Sequence, residues 1–293
     1  MAVKRLILVL CAALASVLAL AQLPSDYGKR MGIDQRLGEQ VPTDLRFYDD
    51  AGQQIKFGDL LGKRPVIVFP IFYTCQSVCD IEEQEIVAVV ARMYGKKSAY
   101  KDTQFKLGQD FDIIFFSINP EEKYDVAHSR AGFLRDAYAA VLKGKTNGSE
   151  VGFHFLTAVD PADITKMTDA LGFHYVWDAP NHRVYHPAGA MVLTPEGRIS
   201  KYFYGADYPT NFIESAVTDA SQNKIGAKAN VILLGCISID PVTGKRTLVV
   251  KQVVNVACVF TVIVLASWIC LMTIQTKREE AARKLLEGAP KNE

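Results

Sequence analysis

Near its C-terminal end the chain carries a run that few soluble folds could absorb. Residues 253–274 contain no Asp, Glu, Lys or Arg. As a helix the run would be about 33 Å long, enough for a hydrocarbon core of about 30 Å. A helix apolar on every face must be enclosed by protein or lipid, and its sequence neighbours offer too little to enclose it. Lys277, Arg278, Arg283 and Lys284 follow the run and assign the tail, 275–293, to the cytoplasm. Lys245, Arg246 and Lys251 precede it, so more of the topology rests on the other terminus. There Lys4-Arg5, an apolar run from Leu6 and the small-x-small Ala19-Leu20-Ala21 form a secretory signal peptide over 1–21. Cys11 follows Leu10 inside the apolar run, which is not where a lipidated cysteine stands. The signal exports the chain and the later run stops transfer. The part between them is expected to face the periplasm from a bacterial inner membrane.

About 200 residues remain between these segments, enough to bury roughly 70% of the unfolded surface without staples or structural metal. The formal net charge is +1, and no basic stretch with interleaved aromatics occurs, so nucleic acid is not an expected ligand. Residues 22–43 are polar and turn-rich and read as a stalk. Residues 45–48 and 54–57, separated by Asp49-Asp50-Ala51-Gly52, read as a hairpin. Residues 65–72 and 112–117 are apolar runs of the length and composition of buried strands. Helical patterns cover 80–94 and 124–142. A strand is expected at 155–159. A helix follows at 161–171, with Pro161 in its first turn and Gly172 as its stop. A hairpin at 190–194 and 199–204, turning at Pro195-Glu196-Gly197, and a helix at 211–219 complete the domain. This order predicts an α/β sandwich with a central sheet over 44–220, followed by a juxtamembrane linker over 221–252.

The chemistry concentrates at Cys75-Gln76-Ser77-Val78-Cys79, just after the first buried strand and at the opening of the next helix. Residues four apart share a helix face, so both sulfurs can meet at its N-terminus, where the dipole favours thiolate. Such a pair can close to a disulfide or bind a soft ion such as Cu(I). A static disulfide or two inert core thiols would be the bland alternative, but inertness is disfavoured because exported accessible thiols tend to oxidise. Among the five histidines, His186 stands just before the 190–194 strand. If that strand neighbours the one before Cys75, His186 sits at the same sheet edge as the sulfurs. His128, His154, His174 and His182 fall in helix or strand patterns and read as ordinary polar residues. A zinc site using Cys75, Cys79, His182 and His186 is disfavoured by the gap of about 100 residues, far beyond zinc-module spacing. Pro70-x3-Thr74 begins a peroxidase pattern whose nucleophile position holds Ser77. No Cys-x-x-Cys-His occurs for a c-type haem. Cys236 is an isolated cysteine of the linker, and Cys258 and Cys270 read as small apolar residues of the span.

Three segments together resemble the Sco/SenC family of copper chaperones for cytochrome c oxidase. They are Phe72-Tyr73-Thr74-Cys75-Gln76-Ser77-Val78-Cys79, Phe115-Phe116-Ser117-Ile118-Asn119-Pro120, and the stretch from His186-Pro187-Ala188-Gly189 to Thr194-Pro195-Glu196-Gly197. The resemblance implies a thioredoxin-like fold. It also implies copper, as Cu(I) or Cu(II), bound by Cys75, Cys79 and His186. The implied partners are the oxidase subunit carrying the dinuclear CuA site and a thiol reductant. A thiol–disulfide oxidoreductase using Cys75 and Cys79 alone, or a copper or redox sensor, would use the same residues. The chain departs from the family pattern at Asp80, where proline is usual, and at Asn119, where aspartate is usual. It also carries its clear span at the C-terminus instead of the N-terminus.

Overall fold

β4 (Val66–Ile71) is the strand around which the domain is organised, and every one of its residues is buried. The computed structural model describes residues 30–75, 78–101, 103–146, 148–228, 237–239 and 246–248, with scattered helical residues between 261 and 276. Before β4 come β1 (Gly32–Ile33), β2 (Arg46–Tyr48) and β3 (Gln54–Lys56). After it come α1 (Val78–Gly95), β5 (Asp112–Ser117), α2 (Tyr124–Val141), β6 (Phe153–Ala158) and α3 (Pro161–Ala170). Then follow β7 (Phe173–His174), β8 (Val176–Asp178), β9 (Arg183–Tyr185), β10 (Gly189–Leu193), β11 (Ile199–Tyr204) and α4 (Thr210–Ser221).

Seven strands form one sheet in the order β11-β10-β4-β5-β6-β2-β3. β4, β5 and β6 run parallel, and β10 and β2 flank them antiparallel. Side chains alternate across a strand, so the uninterrupted apolar runs serve two cores. Ile67, Phe69 and Ile71 face one cluster with Ile86, Val90 and Met93 of α1, Leu134 of α2 and Ile213 of α4. Val66 and Val68 face the other with Ile164 and Met167 of α3. Each fully buried side chain of this size contributes about 1.5–3 kcal/mol relative to exposure. The α3 start follows its sequence signal: the Asp160 side chain accepts from Ala162 N–H, with Pro161 in the first turn.

Pro70 lies inside a central strand, where proline would normally break a ladder. Pairing of β10 with β4 stops at Met191↔Val68. The Ile71 carbonyl faces β5, accepting from Ile118 N–H, so residue 70 turns its missing N–H to the side that β10 has already left. That divergence of β10 from β4 opens the sheet edge used by the candidate site.

The end of the segment read as a stalk is folded onto the domain. β1 pairs with β7, Gln40 bridges Arg198, and Val41 is buried in the second core. The signal peptide over 1–21 lies outside the described residues. So does most of the run at 253–274, of which Thr261, Leu265, Trp268, Ile269 and Met272 are described as helical. Among the described residues no helix is long and apolar enough to cross a membrane. The chain divides into two compact units, 1–231 with 239–245, and 232–238 with 246–293.

Candidate metal centre

Past β4 the chain turns at once. Cys75 N–H donates to the Phe72 carbonyl at 3.2 Å, closing a turn with Tyr73 and Thr74 at its centre. Tyr73 is buried, and its hydroxyl lies 3.0 and 2.9 Å from the carbonyls of Phe115 and Leu156. The two central N–H groups both reach Glu122, Tyr73 to Oε2 at 2.8 Å and Thr74 to Oε1 at 2.8 Å. The Thr74 hydroxyl donates to Oε1 at 2.7 Å and the Ser117 hydroxyl to Oε2 at 2.6 Å. Cys75 follows this turn as a buried residue of the first core. Cys79 lies in the first turn of α1, where the helix dipole favours thiolate. Its side chain, with Gln76 and Ser77, falls outside the described residues.

His186 stands between β9 and β10, at the end of the sheet where β4 gives way to the Cys75 turn. The neighbouring of β4 and β10, on which the sequence argument for His186 depended, is therefore present. The imidazole packs against Phe72, with ring centroids 5.7 Å apart, and against Phe173 at 5.9 Å. Phe72 also contributes the carbonyl that closes the Cys75 turn, so one residue touches both segments. His186 Nδ1 is 2.9 Å from the Pro187 carbonyl oxygen. A carbonyl can only accept, so the proton sits on Nδ1 and the lone pair on Nε2. Loss of water around the ring pushes its pKa down to about 4, against the opposing pull of the Pro187 carbonyl. At neutral pH the ring is a neutral nitrogen donor.

The other histidines are engaged elsewhere. His128 Nδ1 meets the Asp50 carbonyl, His174 meets Asp34, and His154 lies 3.8 Å from Asp112. His182 is exposed, with Nδ1 at 2.9 Å from Glu121. Among the described residues no group of three or more His, Cys, Asp or Glu side chains is gathered as a metal site.

Two buried carboxylates on α1 escaped the sequence reading. Glu82 Oε1 accepts from Gly189 N–H at 2.8 Å and from the Tyr208 hydroxyl at 2.9 Å. Burial pushes its pKa up to about 8, against these two hydrogen bonds and with help from Glu83 and Cys75. Glu83 pairs with Arg130 of α2, which also holds Asp80. Burial pushes Glu83 up to about 7 against that pull, and its Oε1 is buried without a hydrogen-bond partner among the described residues. Asp80, an unusual residue at this position of the pattern, thus works as a tie between α1 and α2. A signal for Glu82 was available: it lies four residues before Ile86 and so falls on the apolar stripe of the helix.

Gly189 connects this network to the sheet. A Cβ there would come within 2.6 Å of the Phe203 carbonyl oxygen on β11 and 2.8 Å of Ile33 Cδ1. The Ile33 methyl can move, but the β11 backbone cannot without loosening its pairing with β10. Gly189→Ala is therefore expected to destabilise the domain by about 1–3 kcal/mol, read as a lowered thermal midpoint.

Three adjacent parallel strands, two crossover helices on one face, a flanking antiparallel hairpin and a Cys-x3-Cys at the first helix N-terminus define a thioredoxin-like domain. The chain belongs to the SCO1/SenC family, whose model matches residues 33–222. A proposed electron transfer protein from Aquifex aeolicus VF5 has the same fold, with 24% identity and a TM-score of 0.51 over 66% of this chain and 97% of that one. ScoI of Arabidopsis thaliana, solved with copper bound, is 16% identical, with a TM-score of 0.46 over 61% of this chain and 96% of its own. BsSco, described as having a disulfide switch and as a member of the Sco family of cytochrome c oxidase assembly proteins, is 20% identical. Its TM-score is 0.46 over 66% of this chain and 99% of its own. No curated protein sequence matches the chain significantly.

Proposed function

We propose that this chain binds copper through Cys75, Cys79 and His186 and delivers it to the CuA-bearing subunit of cytochrome c oxidase. The carrying observation is His186: a neutral imidazole whose Nδ1 proton is committed to Pro187, leaving Nε2 as donor at the sheet edge where the Cys75 turn begins. Holding the second ring nitrogen in this way is how ligating histidines are oriented. Two sulfurs and one imidazole make a soft donor set suited to copper in either oxidation state. Family membership supports the same cargo, since Sco proteins have been solved with copper bound. The assembly role ascribed to BsSco supports the oxidase as destination. Copper here is cargo, and three protein donors leave a position for the acceptor's own ligand.

The same reading places the domain outside the cytoplasm, tethered through 253–274 after removal of 1–21, with 275–293 inside. Leu265, Trp268, Ile269 and Met272 support it, being helical and large and apolar yet exposed. A thiol reductant must keep the pair open, because a disulfide cannot ligate as thiolate.

The test is a copper titration of the full-length chain, reduced and anaerobic. One equivalent binds tightly to the wild type and none to the Cys75→Ser/Cys79→Ser double variant. Undiminished uptake by the double variant would overturn the proposal.

A further inference from the structure

Glu122 occupies a place that the copper reading leaves unexplained. Only 5% of it is exposed, yet among the described residues its hydrogen-bond partners include no cation. Its two oxygens take two donors each, and three of the four come from the turn that ends at Cys75. The fourth is Ser117, at the end of β5. Burying a carboxylate is costly unless such charge-assisted bonds satisfy it. The turn, in exchange, has two successive N–H groups aimed at one point.

The residues before Glu122 hold it in place. The Asn119 side chain accepts from Glu121 N–H at 2.9 Å, and the Asn119 carbonyl accepts from Glu122 N–H at 3.2 Å. Asn119 N–H in turn donates to the Ser117 hydroxyl at 3.1 Å. Asparagine thus builds the same local turn that an aspartate would. The next-door carboxylate, Glu121, is half exposed and among the described residues reaches the exposed His182, an arrangement worth little.

We infer that Glu122 is a positioning residue of the copper site: it fixes the Phe72–Cys75 turn and, through it, where the Cys75 sulfur sits relative to His186. The inference rests on the copper reading for its purpose, but not for its measurement. Glutamine cannot replace the carboxylate. Its amide offers one oxygen, so its NH2 group must face either Tyr73 N–H or Thr74 N–H, and neither can turn round to accept.

The experiment compares Glu122→Gln with Glu121→Gln, which removes the same charge one residue away, in the full-length reduced chain. Alkylation of Cys75 by iodoacetamide is followed by peptide mass spectrometry, at denaturant concentrations too low for global unfolding. Glu122→Gln is expected to alkylate at least about tenfold faster than wild type, the factor carried by one lost buried hydrogen bond. Glu121→Gln stays within about twofold. With Cu(II) bound, the sulfur-to-copper charge-transfer band moves in Glu122→Gln and not in Glu121→Gln. Equal alkylation rates in Glu122→Gln and wild type overturn the inference. So does faster alkylation with an unmoved band, because the turn is then held for stability alone. If Glu122→Gln fails to fold, Ser117→Ala removes one donor and keeps the carboxylate, and the same two readouts decide. Should the wild type take up no copper, the copper reading falls, and the alkylation ratio of the two glutamine variants decides the positioning role alone.

Discussion

His186→Ala is expected to weaken copper binding by at least about 100-fold, since removing even an outer-shell partner of a ligand costs 10–100-fold. The same variant should keep disulfide exchange between Cys75 and Cys79 within severalfold of wild type. The asymmetry follows from what each activity needs. Exchange proceeds by thiolate attack on a sulfur and calls on no imidazole. In the proposed site copper would use the Nε2 lone pair, which the Nδ1–Pro187 hydrogen bond presents in a fixed tautomer. The ring also fills space between Phe72 and Phe173, so alanine costs about 1–2 kcal/mol of packing as well. The comparison therefore belongs at a temperature where both proteins are folded, with copper affinity measured by competition against a chromophoric chelator. Unchanged copper affinity would remove His186 from the site. Loss of both activities together would mean that the ring supports the fold around the cysteines and is not a ligand. The variant thus separates a copper carrier from a thiol–disulfide oxidoreductase, which the cysteine variants cannot do because both functions use the same sulfurs.

What could be read in advance divides along a physical line. The strand at 112–117 stands where its apolar run puts it, because such a run has few other uses in a domain of this size, and the strand at 199–204 stands where the hairpin turn at Pro195-Glu196-Gly197 puts it. β1, β7, β8 and β9, each of two or three residues, carry no period and were not foreseen. The segment 22–43 reads as a stalk because it is polar and turn-rich, but in its described part, from residue 30 on, a few apolar side chains such as Val41 are enough to dock it. Within the candidate site, Cys75 and Cys79 announce themselves by spacing. His186 could be placed only on the condition that its strand neighbours β4, and the register Met191↔Val68 meets that condition. Glu82 and Glu122 were passed over for a different reason. A carboxylate in sequence reads as surface until its donors are known. The donors of Glu82 are Gly189 and Tyr208, 107 and 126 residues away, and only the folded chain brings them together.

Glu82 gives the chain a pH dependence opposite to that of a salt-bridged acid. Its carboxyl is raised from an ordinary 4.5 to about 8 by burial. Between these values the folded chain keeps a proton that the unfolded chain has released. Stability then falls as pH rises, because the native state binds more protons. Glu83, raised to about 7, works in the same direction over a narrower range. His186 works the other way but only below about 6.5, where the unfolded imidazole takes up a proton and the buried ring stays neutral. The copper-free protein is thus expected to be most stable near pH 5 and to weaken towards pH 8. A tenfold difference in proton affinity between the folded and unfolded chain is worth about 1.4 kcal/mol, so Glu82 alone accounts for roughly 4 kcal/mol at pH 8. At about 2–4 °C per kcal/mol for a domain of this size, the thermal midpoint should drop by on the order of 10 °C. Glu82→Gln tests the assignment with little disturbance, because both hydrogen bonds end on Oε1. An amide oxygen can accept both. The variant should match wild type at pH 5 and exceed it at pH 8, with a flattened profile between. A wild-type midpoint that holds steady from pH 5 to 8, or a glutamine variant that falls in parallel with it, would show that Glu82 is already ionised in the folded chain. Its negative charge would then lie beside Cys75 and disfavour the thiolate that copper requires.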